Sequence, residues 1–189
     1  MSNTPLLDHQ QASSHDPRAD AGFEKLYPKF SGWRVVVMGG SRGIGRAVSV
    51  GFAERGACVA ACARNQDALD TLGTALGALG RVSYLATCDV ADVDAVPAFV
   101  SAAATGLGGV DVLVNCASAF ASSDDEAGWS ASVGVDLMGS VRAGHTVLPY
   151  LKASVHPSIH HQHVIDRGAR NVRASGSLRG DKGSDRASD

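Results

Sequence analysis

Trp33-Arg-Val-Val-Val-Met38, followed without a break by Gly39-Gly-Ser-Arg-Gly-Ile-Gly45, is the stretch on which the fold turns. The first six residues form a short, almost continuous apolar run, the pattern of a strand covered on both faces. Glycines then punctuate a turn. After it, Ile44, Ala47, Val48, Gly51 and Phe52 recur at i, i+3, i+4, i+7 and i+8, the expected inward face of a helix that Gly56 stops. A buried strand feeding a helix through a tight turn is the first half of a βαβ unit.

The same alternation continues downstream. Ala57 to Ala63 reads as a second buried strand, and Leu69, Leu72, Leu76 and Leu79 as the stripe of a second helix ending at Gly80. Val82 to Cys88 is the third strand. Val96, Val100, Ala103 and Leu107 mark a third helix, which begins near Asp94 so that Pro97 stays in the first turn. Val110 to Asn115 is the fourth strand. Ser123 and Glu126 have capping-box spacing and open a long fourth helix striped by Trp129, Val133, Leu137, Val141 and Leu148. Four successive βα units imply a parallel sheet with helices on both faces and right-handed crossovers.

The flanks differ. Residues 1–30 carry prolines at 5, 17 and 28 among polar residues, and read as a flexible leader that docks at its end through Phe23, Leu26, Tyr27 and Phe30. In residues 155–189 only nine of 35 residues are Ala, Val, Ile or Leu and none is aromatic. Such a stretch buries too little surface to offset its ordering entropy, so a disordered tail is expected. The domain is therefore expected to occupy residues 31–154.

Composition narrows the function classes. The 189 residues are 44% hydrophobic and 19% charged, with a net charge of −2, so no global field favours nucleic acid or an anionic membrane. Apolar runs such as Ala57 to Ala63 fall short of the ~18 residues a membrane helix needs. The N-terminus lacks a basic region followed by an apolar one, and a soluble cytoplasmic protein is the expectation. Cys58, Cys62, Cys88 and Cys116 form no CxxC pair and read as small core residues in a reducing compartment. His156, His160, His161 and His163 have no rigid frame and no neighbouring cysteine, so no specific metal site is expected. Six basic residues in the tail are diluted by four Asp, which argues against a nucleic-acid arm.

The glycine turn carries the chemistry. Gly39 makes the tight turn off the strand, Gly43 leaves room beside the backbone for a pyrophosphate, and Gly45 lets helix and strand approach. The helix N-terminus then offers unpaired N–H groups and a positive dipole end to an anion. With this turn in place, the sequence closely resembles the short-chain dehydrogenase/reductase family, whose members share Thr-Gly-x-x-x-Gly-x-Gly. The resemblance covers residues 31–154. It includes Cys88-Asp89-Val90, Asp111-Val-Leu-Val-Asn115-Cys-Ala-Ser118, Val135-Asp-Leu-Met-Gly139 and Leu148-Pro149. It implies an α/β fold with a doubly wound, Rossmann-type parallel sheet, truncated here after about four βα units. The implied partners are a nicotinamide dinucleotide and a small carbonyl or alcohol substrate that the sequence does not specify, with oligomeric state open and a homo-oligomer among the options. The cofactor-binding residues it implies are Gly39, Ser41, Arg42, Gly43, Ile44, Gly45, Arg64, Asp89, Val90, Asn115 and Ala117.

The chain also departs from the family pattern. Met38 stands for Thr, and Cys116 and Ser118 replace an Asn and a Gly. Asp136 falls where many members place an Asn that organises a proton-relay water, and is the one catalytic candidate. At the end of the second strand stand Ala63 and Arg64, with no carboxylate to hold a ribose 2′-hydroxyl, and Arg42 lies in the turn beside them. Two guanidinium groups suit a 2′-phosphate, so NADP(H) is expected over NAD(H).

Family members place a Ser on a fifth strand and Tyr-x-x-x-Lys on a fifth helix, the Lys lowering the Tyr pKa from its usual ~10. The tyrosines here are Tyr27, Tyr84 and Tyr150, and none has Lys four residues on. Lys152 follows Tyr150 by two residues, a spacing that does not place both on one helical face. His160 to His163 interrupts the apolar run that a fifth strand beginning at Ser158 requires. The expectation is an oxidoreductase of this family whose chain, as written, lacks the catalytic Ser, Tyr and Lys. The alternative is a non-catalytic NADP-binding or interaction module. A third reading is a fragment that does not fold stably alone, its fourth strand left as an exposed edge where a fifth should pair.

Overall fold

The computed structural model describes residues 29–119 and 123–156, and the backbone of two short strands at 159–162 and 174–176. The strands are β1 (Arg34–Met38), β2 (Cys58–Ala63), β3 (Ser83–Thr87), β4 (Val112–Asn115), β5 (Ile159–Gln162) and β6 (Ala174–Gly176). Between them run α1 (Gly43–Glu54), α2 (Gln66–Ala78) and α3 (Ala95–Leu107). The fourth crossover is one long helical rod made of α4 (Glu126–Ser132), a π-helical segment (Val133–Gly139) and α5 (Ser140–Lys152).

The sheet order is β3-β2-β1-β4-β5-β6. β1 pairs in parallel with β2 (Val36 opposite Ala60) and with β4 (Val36 opposite Leu113). This is the doubly wound Rossmann-type α/β architecture, and the four strands read from apolar runs occupy their expected places. The sheet does not stop at four. Ile159–Gln162 pairs in parallel with β4, and Ala174–Gly176 adds an antiparallel strand beyond it. The expectation of an exposed β4 edge is thus corrected, and these two segments are strand rather than disordered tail. Backbone ladder bonds, which ignore side-chain type, carry the histidine-rich stretch into the sheet. The rest of the tail, and Phe23, Leu26 and Tyr27 of the leader, lie outside the described residues.

One face of the sheet buries Val36, Met38, Ala60, Cys62 and Leu113 against α3 and α5. The other buries Val35, Val37, Val59, Ala61 and Val114 against α1 and α2, with Phe30 packed on Trp33 and Phe52 at its rim. On α2, Leu69, Leu72 and Leu76 are fully buried as the spacing predicts, whereas Leu79 lies at the exposed end.

Two helical faces differ from the apolar stripes. α1 rests on Gly45, Ser49 and Ala53, while Ile44 and Ala47 face outward. Small residues let the helix approach the sheet, and the Ser49 hydroxyl donates to the Gly45 carbonyl at 2.9 Å, which satisfies it in the core. The rod buries Gly128, Gly139, Ala143, Val147 and Leu151. Trp129, Val133, Leu137 and Val141 of the expected stripe are exposed. The i→i+5 segment re-phases the rod, so a pattern read at one helical period misses the buried face. Its N-cap is Asp125, which accepts from the Gly128 N–H at 2.8 Å; Ser123 instead donates to Asp125.

β1 and β4 are clamped at their N-terminal ends. The Asp111 carboxylate, fully buried, accepts from the Arg34 backbone N–H and Nε (both 2.8 Å), from Arg34 Nη2 (2.5 Å) and from the Ser154 hydroxyl. Burial alone would push this carboxyl up. The Arg34 and Ser154 hydrogen bonds and the Arg34 charge outweigh it and hold the group below the usual carboxylate range.

Candidate functional site

At the opposite, carboxyl ends of the strands, the chain leaves β1 toward α1 on one side and β4 toward the rod on the other. In doubly wound sheets this switch point is where a crevice opens. A cleft of about 220 Å³ lies there. Its floor is fixed by backbone. The Gly39 and Gly40 N–H groups both donate to the Cys62 carbonyl at 3.0 Å, Cys88 N–H to Ala63 at 3.0 Å, and Cys116 N–H to Met38 at 2.8 Å.

The glycine turn forms one wall. Gly39 has φ +79°, and a Cβ there would meet the Ala117 nitrogen at 2.6 Å. A Cβ at Gly45 would run into the Gly39 carbonyl and lie 3.2 Å from the Cys116 Cβ. Gly43 is different: φ is +54° and nothing lies within 4 Å of the position its Cβ would take. The space beside it is open. The N-terminus of α1 has no side-chain cap at Arg42 and no acidic residue in its first turn, whereas α2 is capped by Asn65 and carries Asp67. The positive end of α1 therefore remains available to an anion.

Of the residues singled out in the sequence, Gly39, Ser41, Arg42, Gly43, Ile44, Gly45, Arg64, Asp89, Val90 and Ala117 all line this cleft. Arg42 and Arg64 are exposed, and neither forms an ion pair with a carboxylate among the described residues. The Asp89 carboxylate accepts from the Ala91 N–H at 3.0 Å and so shapes the loop after β3. Arg142 on α5 donates to the Val90 carbonyl (3.3 Å) and the Ala91 carbonyl (3.2 Å), pinning that loop from behind.

Asn115 and Asp136 do not line the cleft. Asn115 is buried as the last residue of β4, in register with Met38. The Asp136 carboxylate, in the π-helical segment, accepts from the Ala119 N–H at 3.0 Å and ties down the loop after β4. Cys116, Ser118 and Val135 complete the lining with Ala63 and Cys88. Val135 was not singled out. It lies in the π-helical segment next to Asp136. Burial pushes the Cys116 thiol up to about 11. Tyr150, in the last turn of α5, packs half-buried on the core and does not line the cleft. Among the described residues no group of three or more His, Cys, Asp and Glu could hold a metal ion, and no helix is long and apolar enough to cross a membrane.

A doubly wound sheet with a glycine-walled cleft at its switch point places the chain among Rossmann-type α/β proteins. Within them it belongs to the short chain dehydrogenase family, whose sequence profile matches residues 34–159. A short chain dehydrogenase of Pseudocercospora fijiensis is 40% identical over 94 residues, covering 50% of this chain and 30% of the relative. Isoepoxydon dehydrogenase of Penicillium expansum is 32% identical over 136 residues, 68% of this chain and 51% of the relative. Among solved structures, a short chain dehydrogenase from Burkholderia cenocepacia in complex with NADP superposes with a TM-score of 0.62 at 32% identity, covering 66% of this chain and 53% of that one. The chain thus spans about half or less of the length of these relatives.

Proposed function

We propose that the cleft binds a nicotinamide dinucleotide, NADP(H) in preference to NAD(H), and that the protein derives from an oxidoreductase acting on carbonyl or alcohol groups. The observation that carries this reading is the pairing of an open glycine wall at Gly43 with two exposed arginines, Arg42 and Arg64, on one cleft. The backbone N–H groups of the turn and the α1 N-terminus take the pyrophosphate. Arg42 and Arg64 take a 2′-phosphate through charge-assisted hydrogen bonds, since no carboxylate ends β2 to prefer a free hydroxyl. Asp89 and Val90 border the adenine, and Ala117 borders the nicotinamide ribose, with Asn115 beneath it. Ser118 supplies a side chain where the family has glycine, and weakens the fit at that end. The NADP complex of the Burkholderia cenocepacia protein supports this choice of ligand.

When bound, a nicotinamide supplies hydride transfer to or from a carbonyl carbon. What this chain's own residues contribute is binding and orientation. No Tyr-x-x-x-Lys occurs in the 189 residues, and Asp136 is engaged by the Ala119 N–H, so we assign nucleotide binding without turnover to the polypeptide as given. NADPH fluorescence and calorimetry test the reading. NADPH binding that saturates is expected, with Arg42→Ala and Arg64→Ala each weakening NADPH about 10-fold (~1.4 kcal/mol) and leaving NADH unchanged. Absence of saturable binding of either nucleotide to a folded sample overturns it. Ketone reduction that depends on the purified chain overturns the inactive assignment.

A further inference from the structure

The cleft is charged unevenly from one side to the other. At the β2 side stand Arg42 and Arg64, exposed and without an ion pair among the described residues. Asp89, the acidic residue of the lining, follows β3 on that same side, and its carboxylate accepts from the Ala91 N–H. At the β4 side the lining is Cys116, Ala117, Ser118 and Val135, none of them charged. Asp136 stands behind this wall. Its half-buried carboxylate accepts from the Ala119 N–H at 3.0 Å, one peptide beyond Ser118, and its chain neighbour Val135 lines the cleft. Among the described residues no cation pairs with it: Arg142, further along the rod, directs its guanidinium to the carbonyls of Val90, Ala91 and Gly134.

We infer that Asp136 makes the cleft select the oxidised dinucleotide, NADP⁺, over NADPH. The inference rests on the nucleotide reading above, in which Ala117 borders the nicotinamide ribose. The two forms carry the same phosphates, so Arg42, Arg64 and the N-terminus of α1 hold both alike. They differ at the nicotinamide, which is cationic when oxidised and neutral once it has gained a hydride. A fixed negative charge behind an uncharged wall attracts the first and is indifferent to the second. Opposite unit charges ~10 Å apart at an effective dielectric of ~20 give a preference of about 16-fold, and partial screening of a half-buried group lowers this to about 5- to 10-fold. The carboxylates of Asp124, Asp125 and Glu126 at the start of the rod are exposed, so solvent screens them and Asp136 dominates. Asp136 thus has two separable roles. The tether to Ala119 needs only an oxygen acceptor, which an amide also supplies, whereas the choice between cofactor forms needs the charge.

Calorimetric titration of the full chain with NADP⁺, NADPH and 2′-phospho-ADP-ribose, which lacks the nicotinamide, tests the inference. The parent chain is expected to bind NADP⁺ about 5- to 10-fold more tightly than NADPH. Asp136→Asn is expected to bring the two within about 2-fold by weakening NADP⁺ alone, with NADPH and 2′-phospho-ADP-ribose holding their affinity. Arg42→Ala is expected to weaken all three ligands and to preserve the ratio of NADP⁺ to NADPH affinity. A parent ratio near one overturns the inference, and so does an Asp136→Asn chain that keeps the parent's ratio. Equal loss of all three ligands in Asp136→Asn shows a loop tether only and overturns it as well. If neither dinucleotide binds a folded sample, the nucleotide reading itself falls and takes this inference with it, an outcome distinct from equal binding of both forms.

Discussion

Replacing Asp111 by alanine removes the acceptor of four hydrogen bonds at the root of the sheet. Arg34 gives three of them and Ser154 the fourth. Removing one partner of a buried ion pair costs about 3–5 kcal/mol, because the other charge is left uncompensated. The Arg34 side chain is 20% exposed, so water takes over part of its solvation and the low end, ~3 kcal/mol, applies. In urea unfolding with a slope of ~1–3 kcal/mol/M, the midpoint falls by about 1–3 M. The acid dependence supplies a second check. The folded carboxyl lies below its unfolded value of ~3.9, so its stabilisation is complete above that value and is lost as pH falls through the folded one. The gap between the parent chain and Asp111→Ala is therefore expected to hold from neutral pH down to about 4 and to close below it. A loss under ~1 kcal/mol at pH 7, or a gap that begins to close near pH 6, refutes the account.

Gly45→Ala drives a methyl into the Gly39 carbonyl and is expected to cost about 2 kcal/mol, roughly 4–8 °C in thermal midpoint, by lifting α1 off the turn. Differential scanning calorimetry reads it directly. On the rod, Leu151→Ala is expected to cost about 2–5 kcal/mol, while Leu137→Ser changes stability by less than ~0.5 kcal/mol; denaturant titration showing the reverse order would restore the exposed stripe as the buried face. With its thiol pushed up to about 11, Cys116 is expected to react with iodoacetamide at pH 8 about 100-fold more slowly than an ordinary thiol, and faster as pH is raised toward 11. Peptide mass mapping over time measures this, and a rate equal to that of a free thiol would sink it.

The strands were legible because burial on both faces writes a single message into Val35–Met38, Val59–Cys62 and Val112–Val114. The cleft was legible for the same reason at the backbone level. Gly39, Gly43 and Gly45 are demanded by a positive φ, an open approach and a close contact, and these leave no other residue at ease. The helix faces were less so. α1 and the rod pack inward through Gly45, Ser49, Ala53, Ala143 and Gly139, the last against Val90 of the loop after β3, and smallness rather than hydrophobicity is what these contacts select. A search for large apolar residues therefore finds Trp129 and Leu137 on the outside. β5 was obscured because its pairing is a property of the β4 edge as much as of Ile159–Gln162 itself. Asp111, quoted only as the start of a motif, carried no sign that its partners would be Arg34 and Ser154, 77 and 43 residues away.

The C-terminal part of the rod is fastened to both ends of β4: Asp136, in the π-helical segment, takes the Ala119 N–H just past the strand, and Ser154, just after the last turn, reaches Asp111 just before it. Strand and helix are thus strung together like bow and string, and the span from 136 to 154 works as a ruler. Inserting or deleting a single residue within that span would keep every side chain of the cleft yet detach one end of the string. The cleft lining near Ala117 and the clamp at Asp111 would then no longer be tied through one helix.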